Sequence, residues 1–591
     1  MTLAFLLLAG YGTFLCLNAS TSVGGADSSG YFNASRMLLD GRTSDPARGM
    51  AELGLRQDQI LIVNPLGYVP AARPESIASL YPPGFPLHVA AATVIPGLAK
   101  LPFFISPIAA VASIVLMFLL AREAGVSRLG SFCGAAVLAA CPVLIFQAIQ
   151  PMSDVVALAW SLATILLALK SQRSTPAAVL SGICFGIAWL VRPSSVVLLL
   201  PLALALPLRR WKSLAGFAAG AIPFLVFQLL YNYSAFGSYL QTGYAIEGLT
   251  NAFTTSGFFE RFRDYLVWTA RQFTPIMLIF WAGVVFATRA PVRTRLVMTA
   301  WFGSFLLFYS SYNVADAWWY TRFLLPAYPA LIAGAFLFIE ARLGTGRLRK
   351  AVPVSLAILS IVVGVRMTRT LEVLRTDEVQ QKHRLAVEWL ATQVQPDALV
   401  LSMEMSGAIK WYSELTPIRW DWLDEPTLEE LAERARRIDK PFVALLMPHE
   451  IDEVNERFRG RFVRKADYEP FTLSVLDLPA HGHVDVLRES KIMGWAFDPD
   501  LTRGEREAPS MVRLVLRRED GLEVRGPWEK ADLPRGDLVA AGVVKEETHA
   551  FVLDVAPLMK HTGVYEVMVE ALNQPSGSPV TLEGRQMIRV P

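Results

Sequence analysis

The sequence predicts a polytopic α-helical membrane protein followed by a small α/β domain and a C-terminal β-sandwich. Three observations carry this. Of 591 residues, 53% are hydrophobic and 18% are charged, whereas soluble domains hold about 25% charge. The charge is uneven, with most of it after residue 366. Before that point apolar runs of membrane-crossing length recur; after it come shorter, turn-punctuated patterns. The boundaries this suggests are 1–371, 372–481 and 482–591.

Spanning helices are expected near 2–18, 102–121, 130–149, 154–170, 175–191, 194–208, 213–232, 273–289, 296–313, 323–340 and 351–366, about eleven in all. The first lacks a basic leading region and is followed by many more, so it reads as a span and not a signal peptide. The run 85–99 starts and ends near prolines and is too short to cross; it reads as re-entrant or interfacial.

Basic residues set the orientation. Arg122 with Arg128, Lys170 with Arg173, Arg209, Arg210 and Lys212, then Arg289, Arg293 and Arg295, and finally Arg342, Arg347, Arg349 and Lys350 fall in alternate loops. With eleven spans all these loops face the cytoplasm. Counting 85–99 as a further span would put every cluster outside, against the positive-inside rule. A multi-pass protein of the cell inner (plasma) membrane follows, with 19–101, 150–153, 233–272, 314–322 and 372–591 extracytoplasmic.

The water-facing part divides by texture. Ala398–Met403 and Phe442–Met447 are strand-length apolar runs, and Thr427-Leu-Glu-Glu430 reads as a capping box opening a helix to about Ile438. This is a small α/β domain without a Gly-rich phosphate loop. From 482 onward Val512, Leu514 and Leu516 alternate with Arg513, Val515 and Arg517, and Asp520-Gly521 signals a hairpin. Similar runs at 549–556, 564–572 and 580–590 complete an all-β module. Its entry, Gly482-His-Val-Asp485 and Gly494-Trp-Ala-Phe-Asp-Pro499, resembles a β-sandwich module appended to many bacterial surface enzymes and glycosyltransferases.

Cys16, Cys133, Cys141 and Cys184 all lie in apolar segments, so no disulfide framework holds the soluble part. The net charge of +3 comes as short clusters and not as one basic face, which argues against nucleic acid.

Polar chemistry collects at the outer mouths of helices, and each candidate has a plain structural reading beside the functional one. In Gly24-Gly-Ala-Asp27-Ser-Ser-Gly-Tyr31, Asp27 reads as a helix cap or as a general base. In Tyr81-Pro-Pro-Gly-Phe-Pro86 the prolines fix an extended entry into the short helix, with Tyr81 as an interfacial aromatic. His88 beyond it reads more readily as a packed polar residue than as a metal ligand. Gln150-Pro-Met-Ser-Asp154 offers a second carboxylate, again a cap or a site residue. In Trp318-Trp-Tyr-Thr-Arg322-Phe-Leu-Leu-Pro326, Arg322 either snorkels or clamps a phosphate bidentately. Arg192, in Val191-Arg-Pro193, also ends a helix at the outer face. Apart from these mouths the spans carry almost no ionisable groups, which weakens an ion-coupled transporter reading.

The ordered set of a first-loop Asp, a Tyr-Pro-Pro-x-x-Pro turn, a second-loop Asp and an Arg-Phe-Leu-Leu-Pro run resembles the GT-C superfamily of integral-membrane glycosyltransferases. It looks most like the protein O-mannosyltransferase and lipid A aminoarabinose transferase type, over about residues 1–366. The resemblance implies an inverting transfer of a sugar from a polyprenyl-phosphate donor to an acceptor glycan, lipid or protein. It implies Asp27 as the base, Asp154 as a second acidic site residue, and Arg322 with Arg192 on the donor phosphate. Tyr31, Tyr81, His88 and Tyr320 would line the donor and acceptor groove. Metal dependence varies across that family, which leaves a divalent cation open. Many relatives have Asp-Glu where this chain has Asp27-Ser28, a departure that bears on the acceptor arrangement.

Two rivals are a polymerase or ligase of lipid-linked glycans, centred on Arg261, Arg263 and Arg271 of the 233–272 loop, and a transporter of such glycans. A membrane-anchored binding protein working through its β-module would not need eleven spans.

Overall fold

The computed structural model describes residues 2–273, 275–286, 291–343, 346–503 and 506–590. Arg289 of the fourth basic loop lies outside the described residues, as do 274 and 287–289 of the expected span 273–289. The chain packs as two compact units, Met1–Ala47 with Leu66–Leu385, and Arg48–Pro65 with Ala386–Pro591.

The first unit is helical. Among its described residues, Leu101–Glu123, Ser153–Lys170, Trp211–Phe236, Trp318–Leu343 and Arg347–Thr370 are long and apolar enough to cross a bilayer. Thr2–Asn18 and Thr175–Val191 are apolar helices of 17 residues each, and some other expected spans are broken, with proline one cause. The run 130–149 is not one straight helix: Arg128–Ala139 and Pro142–Ala148 meet at 61°. Pro142 lacks the N–H that would continue the first helix, and it starts the second instead. The run 194–208 becomes a 3₁₀ turn, Pro193–Leu198, and a short helix, Leu199–Ala205. The run 85–99 yields Gly84–Thr93, 10 residues, about 15 Å at 1.5 Å per residue and far short of a bilayer.

Close backbone approach holds the bundle. A Cβ on Gly182 would sit 2.0 Å from the Phe217 carbonyl oxygen, and one on Gly220 would sit 2.2 Å from that of Val179. Small residues thus let Thr175–Val191 and Trp211–Phe236 touch backbone to backbone, the usual means of helix adhesion in lipid.

The first loop is ordered. Helix Ala26–Leu39 leads into a three-stranded antiparallel sheet in which Ser76–Ser79 lies between Ser44–Pro46 and Tyr68–Pro70. The sheet returns the chain to the Tyr81 turn. The middle of this loop belongs to the second unit. There Arg48 donates to the carbonyls of Ser413 (2.9 Å) and Leu415 (2.7 Å), and the Arg419 N–H donates to Ile62 O at 2.6 Å. Arg434 donates to Leu53 O (2.6 Å) and Gly54 O (2.9 Å).

The second unit has an α/β part and a sandwich. In the five-stranded sheet Leu399–Leu401 runs parallel to both Thr416–Ile418 and Phe442–Leu446; Phe471–Leu476 and Phe462–Tyr468 extend it antiparallel. The helix expected to open at Thr427 instead spans Glu425–Arg437. Asp424 is its N-cap, accepting from the Thr427 N–H at 3.0 Å. A proline in a first turn costs no intrahelical bond, so Pro426 sits inside the helix rather than before it. Two antiparallel sheets follow. Ile492 and Phe551 of one pack against Leu516 and Val567 of the other. The Asp520-Gly521 turn joins Met511–Arg518 to Glu523–Arg525, with Gly521 at φ +87°.

The Tyr81 turn depends on one glycine. A Cβ on Gly84 would lie 2.3 Å from the backbone carbon of Leu190 and the nitrogen of Val191, where nothing flexible can yield. Gly84→Ala should therefore push Gly84–Thr93 off the end of Thr175–Val191, destabilising the unit by about 1–3 kcal/mol. Thermal unfolding in detergent measures this; an unchanged midpoint would mean the two backbones are free to part.

Candidate active site

The Tyr81 turn, the start of helix Ala26–Leu39, the end of helix Thr175–Val191 and the 3₁₀ segment Trp318–Ala327 enclose a cavity of about 370 Å³. Asp27 and Arg322 meet in it. Asp27 is not a cap: the N-cap is Gly25, and Asp27 stands in the first turn with its carboxylate turned to the cavity. The Tyr81 hydroxyl donates to its Oδ1 at 2.6 Å and Arg322 Nη1 donates to its Oδ2 at 3.1 Å. Burial works to raise the pKa of this carboxyl. The Arg322 charge, the Tyr81 hydroxyl and the more distant Arg192 act the other way and hold it below the ordinary carboxylate range.

A second pair stands beside the first. Arg192 Nη1 lies 2.8 Å from Asp154 Oδ1, and the Asp154 side chain has 0% exposure. That carboxylate meets Arg192 Nη1, whereas Arg322 Nε is a buried donor without a hydrogen-bond acceptor among the described residues. Both guanidinium groups lie against the Phe323 ring, at 5.5 Å for Arg192 and 5.2 Å for Arg322. Tyr309 stacks on Phe323 at 4.9 Å. Tyr31 packs on Tyr81 at 4.5 Å, and its hydroxyl bonds the Ser153 hydroxyl at 2.8 Å.

Asp27, Tyr31, Tyr81, Arg192 and Arg322 thus line one cavity. Asp154 reaches it through Arg192. His88 is engaged elsewhere. Its Nδ1 lies 2.6 Å from Gly84 O and its Nε2 takes the Trp160 indole N–H at 3.1 Å, which fits a neutral ring locked in the helix packing. Tyr320 lines a separate small cleft with Trp268 and Asp316. Sequence reasoning missed Tyr244, Tyr309 and Tyr312, which complete the aromatic wall. Their segments carry only the general signal of aromatics near a membrane surface. Ser28, at the departure from the Asp-Glu pattern, accepts from the Gly24 N–H at 3.1 Å and holds the turn before the helix.

The arginines proposed for a rival site in the 233–272 loop are occupied. Arg261 donates to the carbonyls of Ser310 (3.0 Å), Thr254 (3.1 Å) and Ser256 (2.6 Å), pinning the loop to the end of Val292–Ser310. Arg263 pairs with Asp264, and Arg271 stacks on Trp268. Among the described residues no three His, Cys, Asp or Glu side chains gather to hold a metal ion.

No family model matches the chain, and no curated protein matches its sequence. Solved structures do match its fold. ArnT from Cupriavidus metallidurans bound to undecaprenyl phosphate aligns over 80% of this chain and 98% of its own, with TM-score 0.54 and 14% identity. The same protein in the apo state gives TM-score 0.53 and 12% identity over the same shares. The chain therefore shares its fold with these two ArnT structures, in keeping with the fold expected from the ordered motifs.

The Arg192–Asp154 pair permits a test that needs no substrate. Removing one partner strands a buried charge, which typically costs about 3–5 kcal/mol, whereas replacing both with apolar groups is often near neutral. Arg192→Met should lower the unfolding midpoint sharply, and adding Asp154→Leu should restore most of it. A double variant no more stable than Arg192→Met would show that the pair carries no coupling.

Proposed function

We propose that this chain is an inverting glycosyltransferase that moves a sugar from a polyprenyl-phosphate donor to an acceptor hydroxyl on the outer face of the membrane. The observation that carries the reading is the pairing of Asp27 with Arg322 in one cavity also lined by Arg192, with a buried Arg322 Nε donor that no described acceptor meets. A phosphate oxygen is the natural acceptor for such donors, because guanidinium meets phosphate with parallel N–H groups and never loses its charge. The likeness to ArnT, solved with undecaprenyl phosphate bound, supports the same assignment.

The reaction follows from these groups. The Asp27 carboxylate takes the proton of the acceptor hydroxyl. The acceptor oxygen attacks the anomeric carbon from the face opposite the phosphate, and the carbon–oxygen bond to the phosphate breaks. The electron pair leaves on the polyprenyl phosphate, where Arg322 and Arg192 meet the developing charge. One displacement inverts the anomeric centre. Tyr81 orients the Asp27 carboxylate, and Tyr31 packs against Tyr81. Asp154 fixes the Arg192 guanidinium and thereby shapes the phosphate site. Acceptors of glycan, lipid or protein type all present the hydroxyl this step needs. A divalent cation, where one takes part, would add charge at the phosphate; no step above is routed through it.

The basic loops support placing this cavity outside the cytoplasm of an inner-membrane protein, with 1–371 as the transferase module and 372–481 and 482–591 as extracytoplasmic domains. Reporter fusions at Arg210 and Asp520 should read opposite compartments, Arg210 cytoplasmic. The same compartment at both would overturn this topology.

Asp27→Asn tests the reaction itself. The substitution preserves shape but removes the proton acceptor at neutral pH. General-base catalysis contributes about 10²–10⁴-fold, so single-turnover sugar transfer from a radiolabelled polyprenyl-phosphate donor should fall by that order. Donor binding and the unfolding midpoint should stay close to wild type, because the phosphate is held by arginines. Transfer within a few-fold of wild type would remove Asp27 from the base role.

A further inference from the structure

The largest cavity described lies in the second unit, far along the chain from the residues of the candidate active site. It measures about 640 Å³, inside the range of small-molecule sites. One wall comes from the α/β part: the turn after helix Thr376–Gln393, Ala432, Ala435 and Arg436 of Glu425–Arg437, and Lys465. The other comes from the sandwich: Asp500 after the Trp-Ala-Phe-Asp-Pro stretch, and Gln574 after strand Gly563–Leu572.

The lining has a particular chemistry. Gln393, Gln395 and Gln574 bring amides, Lys465 an ammonium, Arg436 a guanidinium and Asp500 a carboxylate, over an apolar floor that includes Val443 and Leu476. Arg436 and Asp500 face each other at 3.3 Å with side chains 13% and 15% exposed. Asp500 also accepts from the Leu478 N–H at 2.7 Å. Burial draws the Arg436 pKa down and pushes that of Asp500 up to about 6. A ligand that supplies both an acceptor and a donor can add hydrogen bonds to this largely buried pair.

We propose that this crevice binds a saccharide, a second glycan site distinct from the transfer cavity. A hydroxyl accepts from Arg436, Lys465 or an amide N–H and donates to Asp500 or an amide oxygen, so a polyol matches the mixed lining group by group. An inorganic anion would engage the cations but leave Asp500 facing a like charge. The C–H faces of a sugar ring would rest on the apolar floor. The inference stands on the crevice alone and does not need the transfer reaction to be as proposed.

The test uses the full-length protein in detergent on an array of immobilised neutral and uronic-acid oligosaccharides, with inorganic phosphate and sulfate as soluble competitors. Wild type should be retained on at least one saccharide class, and loss of retention in the variants below, whose residues line this crevice and not the transfer cavity, separates the two sites. Lys465→Ala with Gln395→Ala and Gln574→Ala, at positions that carry no buried ion pair, should lower retention at least tenfold with the unfolding midpoint unchanged. Arg436→Gln should do the same or more. Retention on no saccharide, retention unaffected by the triple variant, or complete displacement by phosphate and sulfate would each overturn the proposal, the last by revealing a simple anion site.

Discussion

Burying a carboxylate away from solvent is costly unless a cation reaches it, and at one mouth of this bundle Arg192 reaches Asp154 at 2.8 Å. Much of the cavity is arranged around that requirement. Arg192 stands at the end of Thr175–Val191, where Pro193 turns the chain into a 3₁₀ segment. The same helix end accepts the Tyr81 turn, because Gly84 allows backbone to lie on backbone there. Tyr81 then reaches Asp27, Asp27 reaches Arg322, and Phe323 presents its ring to both guanidinium groups. Two carboxylates face two guanidinium groups, which lets them sit together in a partly dry site, while Arg322 keeps one buried N–H without an acceptor among the described residues.

The loop that carries this chemistry is held at both ends and in the middle. Helix Ala26–Leu39 and the Tyr81 turn belong to the helical unit, but Arg48–Pro65 packs within the second. Arg48, Arg419 and Arg434 satisfy or use backbone groups of that segment and its partners.

Much of this could be read from the sequence, and the limits have definite causes. Apolar runs located the helix ends, and polar residues at helix ends singled out Asp27, Tyr81, Arg192 and Arg322, which line one cavity, because charge at a helix end in lipid needs a reason to be there. Periodicity does not register a break where the residues on both sides are apolar, so Cys141-Pro142 read as one helix with its neighbours. Capping pattern placed Asp27 at a helix start but could not tell the cap from the first turn. Local pattern placed a helix start at Thr427 when Asp424 held it. Tyr244, Tyr309 and Tyr312 come from separate segments and meet only through tertiary packing. His88 was grouped with the groove through its nearness to Tyr81 in the chain, yet on a helix four residues turn a side chain back toward Gly84, and there Trp160 holds it.

The Ser28 departure can be argued from the same geometry. A second carboxylate directly after Asp27 would enter a site whose charges already balance, and it would do so at the step where the donor adds further negative charge. Ser28 instead spends its hydroxyl on the Gly24 N–H and the Gly25 carbonyl, fixing the turn that aims the helix. The second carboxylate of the region, Asp154, stands on a different helix and is already matched by Arg192. Under the proposed reaction Asp27 would work next to a neutral, rigid neighbour, and an acceptor would find its orienting contacts among tyrosine hydroxyls and rings rather than at an adjacent carboxylate.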